Sequence, residues 1–120
     1  MVHLVTVHRA ASILPVCLVA AIGCSAPSAS SERSQDRITA LARIGQGGTV
    51  SDVPSVLPSL SSDDPLVRWT AQRTLMQLAG TTNGYDWADT PANRDRAIQT
   101  WVTWCRDRGV APGTKEASRG

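Results

Sequence analysis

The sequence contains very little histidine. Its two histidines are His3 and His8, near the start of the chain, and none follows them. A Ser–His–Asp triad needs histidine as its general base, and zinc sites are commonly built from histidine and cysteine. Because residues 1–23 have the pattern of a cleaved secretory segment, both histidines would be lost and the remaining chain would have none. We therefore expect a non-enzymatic protein with no catalytic residue, no metal site and no cofactor.

The sequence also lacks a block of charge of one sign. Eleven of its twelve basic residues and all ten acidic residues follow residue 23, and the two signs are intermixed. Proteins that bind nucleic acids neutralise phosphates with clustered lysine and arginine side chains. Without such a cluster, the sequence predicts no nucleic-acid partner.

A long hydrophobic run is missing as well. Residues 10–23 form an apolar run that contains Pro15 and follows a polar start that includes Arg9. A membrane-spanning helix needs about 20 apolar residues, so this run is too short to cross a bilayer. A charged start, a short apolar run and small residues before a cleavage site are typical of a secretory signal peptide.

The end of this segment resembles the lipobox of bacterial lipoproteins. The motif is Ala21-Ile22-Gly23-Cys24, whereas these families usually carry Leu at the Ala21 position and Ala or Ser at the Ile22 position. The resemblance implies cleavage before Cys24, lipidation of its sulfur, and a protein anchored in the bacterial cell envelope and facing the periplasm or the exterior. Ordinary cleavage after Ala26, which would release a soluble secreted protein, stays open as the alternative.

The three cysteines do not form a disulfide framework. Cys17 would leave with the signal peptide and Cys24 would be acylated, so Cys105 would have no partner within the chain. A nucleophilic role for Cys105 beside Arg106 and Arg108 is one interpretation. We favour a small packed core residue, because Cys105 lies in a predicted helix.

Composition divides the chain into four parts. Residues 1–23 are the predicted signal peptide, and residues 24–35 form a small, polar, serine-rich tether. Residues 36–109 carry the apolar patterning of a domain, and residues 110–120 form a polar tail that we expect to be disordered. The part after residue 23 is long enough for one small domain.

Apolar residues in this domain recur at spacings of three and four, which predicts an all-α fold of about four helices and no strand. The first helix is predicted over residues 35–44, with Ser34 as its cap and Gly45 as its stop. The second is predicted to be short, with Asp52 as its cap. Pro58 shortens or kinks it.

The third helix has the clearest signals: Asp64 as cap, Pro65 in the first position and Gly80 at the end. The fourth begins near Thr90 and is stopped by Gly109. The residues predicted to face the core are Ile38, Leu41, Ala42 and Ile44; Val53, Val56, Leu57 and Leu60; Val67, Ala71, Leu75 and Leu78; and Ala97, Ile98, Trp101 and Trp104.

The middle of the chain resembles one HEAT repeat. The resemblance is carried by residues 53–60 and by residues 63–68 (Asp-Asp-Pro-Leu-Val-Arg), followed by Ala71 and Leu75. In that family a helix pair is joined by a turn, and Asp-Pro opens the second helix. Residues 40–45 are similar to residues 74–78, as expected for the end of a preceding repeat.

A second pattern extends the resemblance toward the C-terminus. Gly84-Tyr85-Asp86, followed by residues 94–104 with their two tryptophans, resembles the closing segment of bacterial envelope proteins that carry HEAT repeats. Together the resemblances cover residues 37–108 and imply a short α-solenoid fragment. Solenoids normally need three or more repeats, and this chain has about one and a half. The tryptophan-rich fourth helix would act as a cap, and any apolar face left uncovered would bind a partner or a second copy.

Two sets of oxygen-bearing side chains could have a functional role. Asp63 and Asp64 form a carboxylate pair, but adjacent side chains point apart and helix capping explains them better. Asn83, Asp86 and Asp89 lie in one loop and carry oxygens of the kind that bind calcium. The spacing of a calcium loop is absent, so we favour turn chemistry.

Five residues could mark a binding face: Arg68, Trp69, Arg73, Tyr85 and Trp87. Arginine in HEAT proteins commonly has a structural role in stacking, and we favour that role here. Tyr85 and Trp87 either form an exposed aromatic pair suited to recognition or fold back over the gap between the third and fourth helices.

These observations predict a lipid-anchored envelope protein that acts as a non-enzymatic protein–protein interaction module. Cys24 would hold the membrane, and Arg68, Trp69, Tyr85 and Trp87 would contact another envelope protein. The alternative is a soluble secreted domain that binds a ligand or assists an enzyme.

Overall fold

The structure is a computed structural model that describes residues 26–110. The predicted signal peptide, Cys24 and all of the tail except Val110 therefore lie outside the described residues. The described chain is all-helical, as predicted. Its elements are α1 (Ser34–Gly47), a short 3-10 turn (Val50–Asp52), α2 (Val53–Val56), a second 3-10 turn (Leu57–Ser61), α3 (Pro65–Ala79) and α4 (Pro91–Asp107).

Helix α1 continues past the predicted stop at Gly45. A Cβ atom at Gly45 would overlap Oε1 of Gln77, so this glycine lies inside the helix where the Gln77 side chain of α3 packs on α1, and it does not end the helix. The helix ends at Gly47, and the amide of Gly48 closes it by donating to the carbonyl of Ile44 at 2.7 Å. The predicted stop at Gly45 is wrong.

The start of α1 also differs from the prediction. Ser34 is the first residue of the helix, and the capping position is Arg33, whose side chain makes no capping hydrogen bond. The Ser31 hydroxyl instead accepts from the amide of Arg33 at 3.2 Å and donates to Asp36 at 3.1 Å. The preceding part of the predicted tether, from residue 26, contains a turn in which the amide of Ser31 donates to Ser28.

The second helix is broken into two short pieces. The α-helical part ends at Val56, and Pro58 lies in the 3-10 turn that follows, as expected from a residue that cannot donate a helical hydrogen bond. Asp52 does not cap α2. Its carboxylate accepts from the backbone amide of Thr49 at 2.8 Å, in a capping box that belongs to the preceding turn. We call residues 50–61 the second segment.

Helix α3 forms as its sequence predicts. The Asp64 carboxylate accepts from the backbone amide of Leu66 at 2.9 Å, and Pro65 occupies the first position. Gly80 adopts a left-handed conformation with φ of 74°, and its amide donates to the carbonyl of Met76. Both ends of this helix are therefore encoded locally.

Helix α4 is capped by Thr90, whose hydroxyl accepts from the amide of Asn93 at 3.3 Å. It ends at Asp107, and Gly109 follows with φ of 66°. The next residue, Val110, packs against the core, and its amide donates to the carbonyl of Cys105.

The helices form two layers. Helices α1 and α3 pack side by side. Leu41 of α1 contacts Thr74 of α3, and Gly45, further along α1, contacts Gln77, further along α3. The two helices therefore run in the same direction. The Thr74 hydroxyl donates to the carbonyl of Leu41 at 3.0 Å. The second segment packs on α3 from the other layer, and α4 packs on the second segment.

A continuous core lies between the layers. Of the predicted core residues, Ala42 is exposed, so the prediction for it is wrong. It lines the open groove between α1 and α3 and does not face the core. Ile38, Ile44, Leu78, Ile98 and Trp104 are partly buried against the core. The core itself consists of Leu41, Val53, Val56, Leu57, Leu60, Val67, Ala71, Leu75, Tyr85, Ala97, Trp101 and Cys105.

The connection between α3 and α4 is fastened to the helices by hydrogen bonds. The Tyr85 hydroxyl donates to the carbonyl of Leu60 at 2.7 Å, and the Trp101 indole donates to the carbonyl of Thr82 at 2.9 Å. The side chain of Gln72 accepts from the amide of Trp87. These hydrogen bonds join the connection to the second segment, to α3 and to α4.

Candidate interaction surface

The acidic loop residues take part in turns. The Asp86 carboxylate accepts from the amide of Ala88 at 2.9 Å, and the Asp89 carboxylate accepts from the amide of Thr90 at 2.7 Å. The hydrogen bonds that Asp89 receives from Asn93 and Thr90 lower the pKa of its carboxyl. Within residues 26–110, no group of three or more His, Cys, Asp or Glu side chains is arranged to hold a metal ion. These hydrogen bonds match the turn chemistry favoured by the sequence.

Cys105 lies in the core. Its side chain is 2% exposed, and burial raises the pKa of its thiol. A nucleophilic cysteine needs a lowered pKa and access to a substrate. The surroundings of Cys105 favour the packed role.

The Arg68 side chain makes hydrogen bonds within the protein. Its guanidinium donates to the carbonyl of Ser62 at 2.8 Å and to that of Asp63 at 3.1 Å. Its Nε atom donates to the carbonyl of Trp87 at 3.1 Å. Arg68 therefore joins the turn before α3 to the connection after it, and its guanidinium is committed to these three carbonyls rather than to a partner.

Tyr85 does not form an exposed pair with Trp87. The Tyr85 side chain is 2% exposed, and its hydroxyl reaches the carbonyl of Leu60. Burial raises the pKa of this hydroxyl. The assignment of Tyr85 as a contact residue is corrected, because an aromatic ring at this position closes the gap beside α3.

Trp69 and Trp87 remain at the surface. Together with Pro65 and Leu66 they line a shallow, apolar hollow of about 370 Å³ at the start of α3. Leu66 is 52% exposed and Trp69 is 38% exposed, while Trp87 is half-buried. We call these four residues the aromatic patch.

A second surface lies between the two parallel helices. This groove, which we call the α1–α3 groove, has a volume of about 270 Å³. The guanidinium of Arg73 stacks over the Trp69 ring at 4.9 Å from its centroid. The groove is lined by Ile38, Ala42 and Gln46 of α1 and by Trp69, Thr70, Arg73, Thr74 and Gln77 of α3.

The sequence identified Trp69, Arg73 and Trp87, but it did not single out Leu66. A signal was present, because Leu66 is a large apolar residue that falls outside the buried stripe of α3. The contribution of α1 to the groove could not be seen in the sequence. It depends on the parallel packing of two helices that are separated in the chain by the second segment.

Comparison with known proteins adds no relative. No family model matches the chain, and neither the curated proteins nor the solved structures contain one that is significantly similar to it.

Among residues 26–110, none of the helices combines the length and the apolar character needed to cross a membrane.

Proposed function

We propose that this protein is a non-enzymatic interaction module of the bacterial envelope, tethered by lipid on Cys24, and that it binds another envelope protein through the α1–α3 groove. The observation that carries the proposal is the pairing of an exposed Trp69 with a stacked Arg73 in a groove between two well-packed helices. Tryptophan and arginine are the residue types most enriched at energetically important positions of protein interfaces.

The layer arrangement supports a HEAT-like solenoid. In such a stack, equivalent helices of successive repeats lie side by side and run in the same direction. Here α1 and α3 do so in one layer, while the second segment and α4 pack together in the other. Leu41 and Leu75, which the internal sequence similarity aligns, are both fully buried.

The scaffold would hold the groove in one shape. Thr74 joins α3 to α1 through its hydrogen bond to Leu41, and the Gln77 side chain of α3 packs against Gly45 of α1. A preformed site loses less entropy on binding than a flexible one. The exposed amides of Gln46 and Gln77 at the groove would supply hydrogen bonds to a partner backbone.

The anchoring part of the proposal depends on Cys24. Each buried methylene of an acyl chain contributes about 0.8 kcal/mol, and stable anchoring takes at least two lipid chains or equivalent signals. A diacylated Cys24, as the lipobox resemblance implies, would meet this requirement.

The first test is the intact mass of the protein purified from its own host, together with its partitioning into detergent, for wild type and Cys24→Ala. We expect a wild-type chain that starts at Cys24, carries acyl mass and enters the detergent phase. The variant should stay in the aqueous phase. An unmodified wild-type chain that starts after Ala26 would overturn the anchoring.

The second test is site-specific cross-linking in intact envelopes. A photoreactive residue replaces Gln46 in the groove, which keeps Trp69 and Arg73, or, as a control, Val102, which is 37% exposed on α4. We expect a discrete cross-linked product at position 46 that is absent at position 102 and is lost when Ala42→Glu is added in the groove. The same products at both positions, or none at either, would contradict binding through the groove.

A further inference from the structure

The aromatic patch lies at the end of the molecule where the chain enters from the tether. Ile38, about one turn into α1, and Trp69, about one turn into α3, line the same groove. Because the two helices are parallel, their first turns lie together, and the patch begins at Pro65, directly after Asp64.

The tether is too short to let this end move far from its anchor. The chain between Cys24 and α1 is about ten residues, which gives a mean reach on the order of 15–20 Å if it is fully flexible. The turn from Ser28 to Ser31 shortens that reach further. A short tether gives the attached surface a high effective concentration at the membrane, so even a weakly binding patch would be occupied.

The chemistry of the patch suits the interfacial region of a bilayer. Tryptophan is enriched at membrane interfaces, because its ring is apolar and its indole nitrogen still donates a hydrogen bond. The patch places two tryptophans beside exposed Leu66 and Pro65. Apolar side chains of this kind enter the boundary between headgroups and acyl chains.

The charges around the patch are mixed. Arg73 stacks on Trp69, but Asp63 and Asp86 are exposed close to the patch in the sequence. Attraction to anionic lipids would therefore contribute little, and burial of apolar surface would supply the binding. Binding of this type should change little with salt, unlike binding through a basic surface.

We infer that the aromatic patch inserts into the interfacial region of the membrane that holds the lipid anchor, so that the domain is oriented on the bilayer. Trp69 lines both surfaces, so the groove meets the bilayer at this residue, and its other end, at Gln46 and Gln77, points away from the membrane. This inference rests on the anchoring of Cys24 proposed above. The lipid would give attachment, and the patch would give orientation.

The test is quenching of tryptophan fluorescence by brominated lipids. The acylated protein from its own host is reconstituted into vesicles of phosphatidylethanolamine with a minority of phosphatidylglycerol, carrying bromine on the acyl chains. We expect quenching in wild type that changes little with added salt. It should be largely lost in the double variant Trp69→Tyr, Trp87→Tyr and kept in Trp104→Tyr, which changes a half-buried tryptophan of α4.

A second pair of variants distinguishes a loss of membrane insertion by the patch from a general effect of a new charge on α3. Leu66→Glu should abolish the quenching without changing the acyl mass, whereas Met76→Glu, at a comparably exposed position on α3, should leave it unchanged. Acylated wild type without quenching would overturn the inference and leave the anchoring intact. Unacylated wild type would overturn both. Cross-linking of a photoreactive residue at position 66 to a protein, without quenching, would assign the patch to a protein partner instead.

Discussion

At the scale of single residues, two hydrogen bonds, one buried and one partly buried, hold the connection between α3 and α4. Tyr85 donates to the carbonyl of Leu60, and Trp101 donates to the carbonyl of Thr82. Both side chains are almost fully buried, at 2% and 0% exposed. A buried carbonyl that loses its donor retains the full cost of its removal from water. These two contacts should therefore matter more than the exposed hydrogen bonds of the same loop.

We predict that Tyr85→Phe lowers the free energy of unfolding by about 1–3 kcal/mol, because it leaves the Leu60 carbonyl without this donor while keeping the ring. The measurement is urea denaturation followed by circular dichroism. The control is Ser55→Ala, which removes an exposed hydroxyl that donates to the Asp52 carbonyl at 2.7 Å. It should change stability by no more than about 0.5 kcal/mol. Equal effects of the two variants would contradict the role of Tyr85.

At the scale of elements, the helices differ in what defines their ends. Helix α3 carries its own signals in Asp64, Pro65 and Gly80, and it forms with the predicted bounds. Helix α1 carries a misleading signal at Gly45, which lies inside the helix with the Gln77 side chain of α3 packed against it. A glycine in a sequence therefore has two explanations, and only the packing distinguishes them.

The cap of α3 makes stability depend on pH. Hydrogen bonds from the Ser34 side chain and the Leu66 amide lower the pKa of Asp64 below its usual value of 3.8. Because the folded pKa is depressed, this carboxylate stabilises the fold above about pH 4, and its contribution is lost as pH falls through the folded pKa. We predict that Asp64→Asn reduces the difference in urea midpoint between pH 7 and pH 3 without abolishing it, since Asp89 shifts in the same direction.

The matched control for that measurement is Asp63→Asn, which changes the neighbouring exposed carboxylate and leaves the cap in place. It should keep the pH dependence of wild type. A wild-type dependence in Asp64→Asn would show that the cap does not carry it.

The end of α1 offers a second prediction at this scale. A Cβ atom at Gly47 would meet nothing within 4 Å, whereas one at Gly48 would lie 2.5 Å from the carbonyl oxygen of Ile44. Gly47→Ala should stabilise the protein by about 0.4–1 kcal/mol, because alanine restricts the unfolded chain. Gly48→Ala should destabilise it by about 1–3 kcal/mol, because the backbone must shift. Thermal unfolding of both variants tests this, and effects of the same sign would be inconsistent with the packing at this helix end.

At the scale of the whole molecule, one core joins all four helices. Leu41 of α1, the second segment, α3 and Trp101 of α4 belong to a single cluster of buried side chains. Small single domains with one core usually unfold in one cooperative step. The stability of this one should be modest, since small domains bury a smaller share of their surface.

We predict that Leu41→Ala, at a fully buried position, lowers the free energy of unfolding by about 2–5 kcal/mol. The loss should appear equally in circular dichroism, which reports on all helices, and in tryptophan fluorescence, which reports mainly on α3, α4 and their connection. Ala42→Ser, at the exposed neighbouring position, is the control and should have little effect. Separate transitions from the two probes would show that α1 unfolds independently.

The sequence by itself determined the all-α class, the bounds of α3, the start of α4 and most of the residues that face the core. These features depend on caps, proline positions and apolar spacing, which act over a few neighbouring residues. Only the tertiary structure decided the burial of Tyr85, the exposure of Ala42, and the pairing of α1 with α3 that forms the groove. These features depend on which residues meet across the two layers. Such contacts join residues far apart in the chain, and local patterns of hydrophobicity do not contain them.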